Sequence, residues 1–145
     1  METREERIAT VRGRVEGSSF NPWVGMRLER LADGEAELSL GVRPEHLNLM
    51  GSLHGGVISS LADTATGVAM HAALDDGWTH VTTSLHVTFL ASGREGDRVL
   101  ARGRVVRRGH RFGYAEAEVE RADGTLLARA SATFLIQEER AEERR

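Results

Sequence analysis

Between His46 and Leu74 the chain runs for 29 residues with one charged side chain, Asp63. Charged residues make up 28% of the whole chain, so a stretch of this length would by simple proportion carry about eight. A segment so long and neutral must be covered on most of its surface. Its Ala, Val, Leu and Gly content reads as one long helix, beginning near His54 or Gly55, running to about Leu74 and stopped by Asp75, Asp76 and Gly77. On that helix Val57, Leu61, Ala65, Val68 and Ala72 form a stripe expected to face a core. Asp63 is expected on the far side with Ser59, Thr66 and Met70.

The remaining chain reads mostly as β-structure. Val24 to Leu31 and Glu35 to Val42 flank a polar turn at 32–34 and predict a hairpin, which Pro44 ends; residues 43–53 then read as a loop leading into the helix. After the helix, Leu85, Val87 and Phe89 alternate with Ser84, His86 and Thr88, and further runs follow at 97–107, 112–121 and 125–136. Their short links predict four consecutive strands in a meander. Arg102 and Arg104 are placed to pair across strands with Glu118 and Glu116.

One helix with an apolar stripe needs cover, and a curved antiparallel sheet is what the other elements supply, so the fold class is α+β. Residues 2–16, with Ile8, Val11 and Val15 at helical spacing, predict a short amphipathic helix that acts as a lid or packing arm, and Pro22 is expected to break it within 18–23. The expected organisation is an N-terminal helical arm over 1–19, one domain over 20–137, and a charged tail over 138–145 that frays for want of apolar content.

Several function classes are disfavoured. There is no Cys, hence no disulfide framework and no thiolate zinc site, and the six His show no paired helical spacing, so no metal is expected. The N-terminus alternates charges and no run of ~18 apolar residues occurs, so neither a signal peptide nor a membrane partner is expected, and the location expected is cytoplasmic. All 19 basic residues are Arg, but the net charge is −3 and the charges are not segregated, which argues against a nucleic-acid partner.

The back of the neutral helix carries Ser59, Ser60, Thr64, Thr66 and Gly67 where a solvated surface in this chain would carry Glu and Arg. Small neutral residues there imply close packing, with a second copy of the same helix as the simplest partner and a homodimer as the result. At the helix start, Gly55 and Gly56 expose backbone N–H groups that have no intrahelical acceptor, in a place where the helix dipole favours negative charge. Such a donor stabilises the oxyanion of a carbonyl under attack. Asp63 lies eight residues further on, about 12 Å along the axis. The two groups flank one carbonyl only if they come from different subunits.

Asn48-x-x-Gly51-x-x-His54-Gly55-Gly56, followed by Leu61-Ala62-Asp63-Thr64-Ala65, resembles the signature of the PaaI-like branch of hotdog-fold acyl-CoA thioesterases, and the resemblance extends from about Pro22 to Ile136. It implies a hotdog fold, an antiparallel sheet wrapped around one long central helix. It implies hydrolysis of an acyl-CoA to a free acid and coenzyme A without metal or redox cofactor, coenzyme A being part of the substrate. By the same resemblance Asp63 is the catalytic carboxylate, the Gly55 N–H polarises the thioester carbonyl, Asn48 and His54 line the reaction centre, Gly56 adds backbone at the helix start, and Thr82 helps hold water near the carboxylate. The family's common arrangement is a homotetramer built from two dimers.

Arg107, Arg108, His110 and Arg111 cluster in one hairpin and either meet coenzyme A phosphates, with Arg108 and Arg111 foremost, or form a solvated turn. Phe20 and Trp23 are expected to cap the core rather than an acyl pocket, and His71, His80 and His86 to be ordinary surface or interface residues. Two other functions fit the same fold: a non-catalytic acyl-CoA sensor, and a hydratase or dehydratase using an Asp and His as acid–base pair. The spacing from Gly55-Gly56 to Asp63 suits thioester hydrolysis better.

Overall fold

The structure, a computed structural model, describes residues 1–144. In chain order its elements are helix α1 (Arg4–Glu16), a short helix α2 (Phe20–Val24), strands β1 (Met26–Ala32) and β2 (Glu35–Gly41), a 3-10 turn (Pro44–His46), helix α3 (Gly55–Ala73), and strands β3 (Trp78–Phe89), β4 (Arg98–Arg108), β5 (Phe112–Arg121) and β6 (Leu126–Glu138), with a final 3-10 turn (Ala141–Arg144). All six strands form one antiparallel sheet in the order β1-β2-β4-β5-β6-β3. Among the described residues no helix is long and apolar enough to cross a membrane.

The expected α+β hotdog architecture is present: the sheet packs around α3, which buries Ile58, Leu61, Ala62, Ala65, Ala69, Met70 and Ala72. Strand and helix pass so close at Gly103 of β4 that a Cβ there would overlap the Ala65 carbonyl. Only a residue without a side chain lets the strand pass there. The covered arc of α3 is wider than the predicted stripe, and Thr66 and Met70, expected on the far side, are fully buried. The Thr66 hydroxyl is satisfied within the helix by donating to the Ala62 carbonyl at 2.8 Å.

Three further expectations are corrected. The last four strands are not a simple meander. β4, β5 and β6 are, but β3 crosses over to lie outside β6, its own outer edge unpaired among the described residues. The N-terminal helix does break, but at 17–19 and not at Pro22, which falls within the first turn of α2, where a proline needs no intrahelical acceptor for its missing N–H. The tail is not wholly frayed: the Glu139 carboxylate is 3% exposed and pairs with Arg14 at 2.6 Å, and its N–H donates to the Gly77 carbonyl. Arg145, the end of that tail, lies outside the described residues.

The arm is anchored rather than loose. Val11 is buried in a cluster with Leu31, Ala36, Ala69 and Ala72. Arg4 donates to the carbonyls of Ala72 and Leu74 at 3.1 and 3.2 Å, and Arg7, 2% exposed, donates to Leu74 and Trp78. Two guanidinium groups thus sit at the C-terminal end of α3, where unpaired carbonyls and the helix dipole favour cations.

β3 carries a bulge between Thr82 and Ser84. Before it, His80 and Thr82 point toward α3; after it, Leu85 and Val87 are the residues that reach the core clusters. The extra residue inverts the side-chain parity, so both halves of the strand turn their useful face inward.

Candidate active site

Asp63 lies halfway along α3, partly buried, and its Oδ1 accepts a hydrogen bond of 2.9 Å from the Thr82 hydroxyl. The two residues sit in the wall of a cavity of about 400 Å³ between α3, β3 and the N-terminal arm. Val11, Val15, Phe20 and Val68 give it apolar walls, and His71 and His80 line it as well. The arm is therefore part of the site's enclosure, a role that its amphipathic pattern alone does not reveal. Phe20 faces this cavity instead of capping the core, and Trp23, 76% exposed, lies against Phe20 with ring centroids 6.3 Å apart.

His71 and His80 are partly buried in the lining of this cavity, whereas His86 is exposed. Burial, then the electrostatic influence of Arg7, His80 and Arg14, push His71 down to about 3. Its Nε2 lies 3.4 Å from both Arg7 Nη2 and Arg14 Nη1. His80 packs edge-on against Phe134, ring centroids 4.9 Å apart, and over Gly67. Burial lowers its pKa, opposed by the Gly67 backbone and the Asp63 carboxylate. Its Nδ1 is sealed from solvent with no hydrogen-bond partner among the described residues.

His54 is the N-cap of α3, and its Nδ1 accepts the Gly56 N–H at 2.7 Å. Gly56 is thereby committed to the cap. The Gly55 N–H has no acceptor among the described residues, and the Phe89 ring lies where a Gly55 Cβ would be within 3.2 Å of it. Asn48 works locally: its Oδ1 accepts from Met50 and Ser52 N–H at 2.9 and 3.1 Å, shaping the turn at Gly51 that feeds the helix. The turn leaves Leu49 and Met50 exposed.

Within one chain the structure brings Asp63 and Thr82 together, and separately groups His54, Gly55 and Gly56. Arg108 lies elsewhere: it pairs with Asp75 at 3.5 Å, just beyond the far end of α3, about 27 Å along the axis from Gly55. Arg111 is on the same hairpin, exposed. Arg104 pairs with Glu116 as expected, but Arg102 pairs with Glu37 and Glu120, and Glu118 is taken by Arg129.

Residues 50–128 match the Thioesterase superfamily. The medium/long-chain acyl-CoA thioesterase YigI of Salmonella typhimurium (strain LT2) is 29% identical over 132 residues, covering 81% of this chain and 84% of that protein. Among solved structures, a mutant of phenylacetic acid degradation protein PaaI from Thermus thermophilus is similar with a TM-score of 0.76 and 30% identity, over 81% of this chain and 98% of that one. Smu.793 from Streptococcus mutans UA159, solved bound to acetyl CoA, has a TM-score of 0.74 and 26% identity, over 80% and 91%. More than half of this chain matches the superfamily, and the match spans the Gly55 helix start, Asp63 and Thr82. The chain belongs to the Thioesterase superfamily, on its PaaI-like hotdog branch.

Proposed function

We propose that this protein hydrolyses an acyl-CoA thioester to a free carboxylic acid and coenzyme A, in a site completed across a homodimer. The observation that carries the reading is the Asp63 carboxylate, fixed by Thr82 on the wall of an apolar cavity of about 400 Å³. Asp63 of one subunit drives attack on the carbonyl carbon, while the free Gly55 N–H of the other takes the oxyanion, an interaction worth roughly 3 kcal/mol in the transition state. The carbon–sulfur bond then breaks and the thiolate of coenzyme A leaves and is protonated. Direct attack by Asp63, forming an anhydride, and attack by a water that Asp63 deprotonates both use the oxygen Thr82 leaves free. Single-turnover hydrolysis in heavy-oxygen water tests for the anhydride, since label in Asp63 requires an anhydride that water opens at the Asp63 carbonyl carbon.

The dimer is supported by two surfaces. The small neutral residues Ser59, Ser60 and Thr64 occupy the uncovered side of α3, and the unpaired edge of β3 runs for 12 residues with Val81 and Phe89 exposed. A long apolar-bearing edge is a template for pairing with another copy. In this reading His54 and Asn48 shape the helix entry rather than touch the reacting atoms, and Arg108 and Arg111 meet phosphates of coenzyme A at the rim. Two such dimers form the homotetramer, and the enzyme works in the cytoplasm with no cofactor beyond its substrate.

The test is steady-state release of coenzyme A thiol from a panel of aryl, short-chain and medium-chain acyl-CoA esters. We expect turnover of at least one ester, and a loss of at least ~10²-fold in Asp63→Ala and Asp63→Asn. Tight acyl-CoA binding with no turnover would instead make the protein a sensor and overturn the enzymatic reading.

A further inference from the structure

We propose that His71 selects the acyl group: its Nδ1–H donates a hydrogen bond to an oxygen carried on the distal part of the acyl chain, so that acyl-CoA esters bearing a hydroxyl, keto or ether oxygen are preferred over all-carbon chains of equal length. The inference rests on acyl-CoA being the substrate and on the cavity beside Asp63 receiving its acyl group.

His71 follows Asp63 by eight residues on α3, about 12 Å along the axis, and both line the same cavity. An acyl chain whose carbonyl is at Asp63 therefore points its far end toward the imidazole. The walls between are largely carbon, from Val11, Val15, Val68 and Phe20, with Ser18, Asn21 and Arg14 on the side of the arm. Of the polar groups on α3 that line the cavity beyond Asp63, His71 lies furthest along the helix.

The neighbours of His71 decide its protonation state. Arg7 and Arg14 both approach Nε2 at 3.4 Å, and a guanidinium has only donors, so Nε2 presents its lone pair and the ring proton resides on Nδ1. Burial and three nearby cationic or imidazole groups keep the ring neutral. Nδ1 has no acceptor among the described residues, although the ring lines the cavity. A neutral donor in an apolar chamber favours a neutral acceptor. The charge of Arg14 is offset by Glu139, 2.6 Å away, so the chamber does not attract a terminal carboxylate. The arm thus contributes to recognition twice, through its valines and through the two arginines that hold the tautomer.

The experiment measures binding, which is independent of turnover. 2-Oxoalkyl thioethers of coenzyme A keep the carbonyl but cannot be hydrolysed, and a matched series with a hydroxyl at successive chain positions is titrated by calorimetry into wild type, His71→Leu and His71→Gln. For at least one distal position the hydroxylated analogue should bind wild type about 3- to 10-fold tighter than its unsubstituted partner, the value of one neutral hydrogen bond. His71→Leu should lose that preference while still binding the unsubstituted analogue, and His71→Gln, which keeps both a donor and an acceptor, should retain part of it. The nitrogen NMR signals of His71 should report the Nδ1–H tautomer and shift with the hydroxylated analogue alone. Equal binding at every position, or a preference that survives in His71→Leu, overturns the inference while leaving the thioesterase reading intact. Failure of wild type to bind any of the thioethers overturns both.

Discussion

The Thr82 hydroxyl on β3 donates to Asp63 Oδ1 on α3 at 2.9 Å, joining residues 19 positions apart through a strand bulge. One carboxylate oxygen is held and the other is left for chemistry. Replacing Thr82 with Val keeps the shape and removes the donor. We predict that kcat falls about 10-fold, the cost of one hydrogen bond to a charged group, with KM and the melting temperature little changed. Thr82→Ser should stay within about 3-fold of wild type. Thiol-release kinetics beside thermal melts decide it, and unchanged kcat in Thr82→Val would remove Thr82 from the site.

Gly55 occupies the first position of α3, where proline is well tolerated, and His54 before it is extended, as a residue preceding proline prefers. Gly55→Pro therefore deletes one N–H without breaking the helix, and its Cβ makes the Phe89 ring give by a few tenths of an ångström, a contact that Gly55→Ala shares and so controls for. The expected outcome is a folded protein with kcat reduced about 10²- to 10³-fold, while Gly55→Ala, which retains the N–H, loses much less. Equal activity of the two variants would show that the N–H is not used.

Subunit mixing tests whether the two groups belong to one site. Unfolding Asp63→Asn and Gly55→Pro together and refolding them gives mixed dimers in which one site pairs an intact Gly55 with an intact Asp63 from the other subunit. Activity should recover to about a quarter of wild type if random dimers form and each site is shared across the two-fold axis. No recovery, with mixed dimers verified by mass spectrometry, would place both groups in one chain.

The partly buried His71 makes stability depend on pH. Its folded value is about 3 against an ordinary 6.5, so at pH values between these the unfolded chain takes up a proton that the folded protein refuses, and stability falls as pH drops from about 6.5 toward about 3. The groups facing the ring are Arg7, Arg14 and His80, and none of them relieves this. Thermal melts should show wild type losing stability more steeply than His71→Gln over that range. Parallel curves would mean that His71 protonates freely in the folded state.

Gly103→Ala should destabilise the protein by about 3 kcal/mol or more, because its Cβ meets the backbone of α3, which cannot rotate away as a side chain would. Chemical denaturation measures this directly. A near-neutral Gly103→Ala would show that α3 and β4 are less closely packed than the structure has them.

Much of the fold is legible from periodicity. The neutral run up to Leu74 yields α3 within a residue of its ends, the alternation after residue 84 yields strands, and the ADG turns yield two hairpin connections. Asp63 stands out because it is alone, and Gly55 because a helix must start there. The features that periodicity misses have a common cause. Chain order puts β3 beside β4, because adjacent strands usually pair, but its partner is β6. A helical wheel puts Thr66 and Met70 on the outer face, because it cannot tell how far a curved sheet reaches around a helix. A lone imidazole has no periodic signature, so His71 and His80 read as surface residues, and Glu139 looks solvated until its partner Arg14 is known.

By itself the amino-acid sequence determined what is local: where α3 begins and ends, which backbone donors its first turn leaves unpaired, and that one carboxylate lies two turns beyond them. Those follow from propensity, capping and spacing within a few residues. Only the tertiary structure decided that a bulge turns Thr82 toward Asp63, that β3 takes the sheet's edge, and that the arm and His71 line the same cavity as Asp63. Each of these depends on which distant surfaces bury one another, a free energy summed over many contacts that no short stretch of sequence carries.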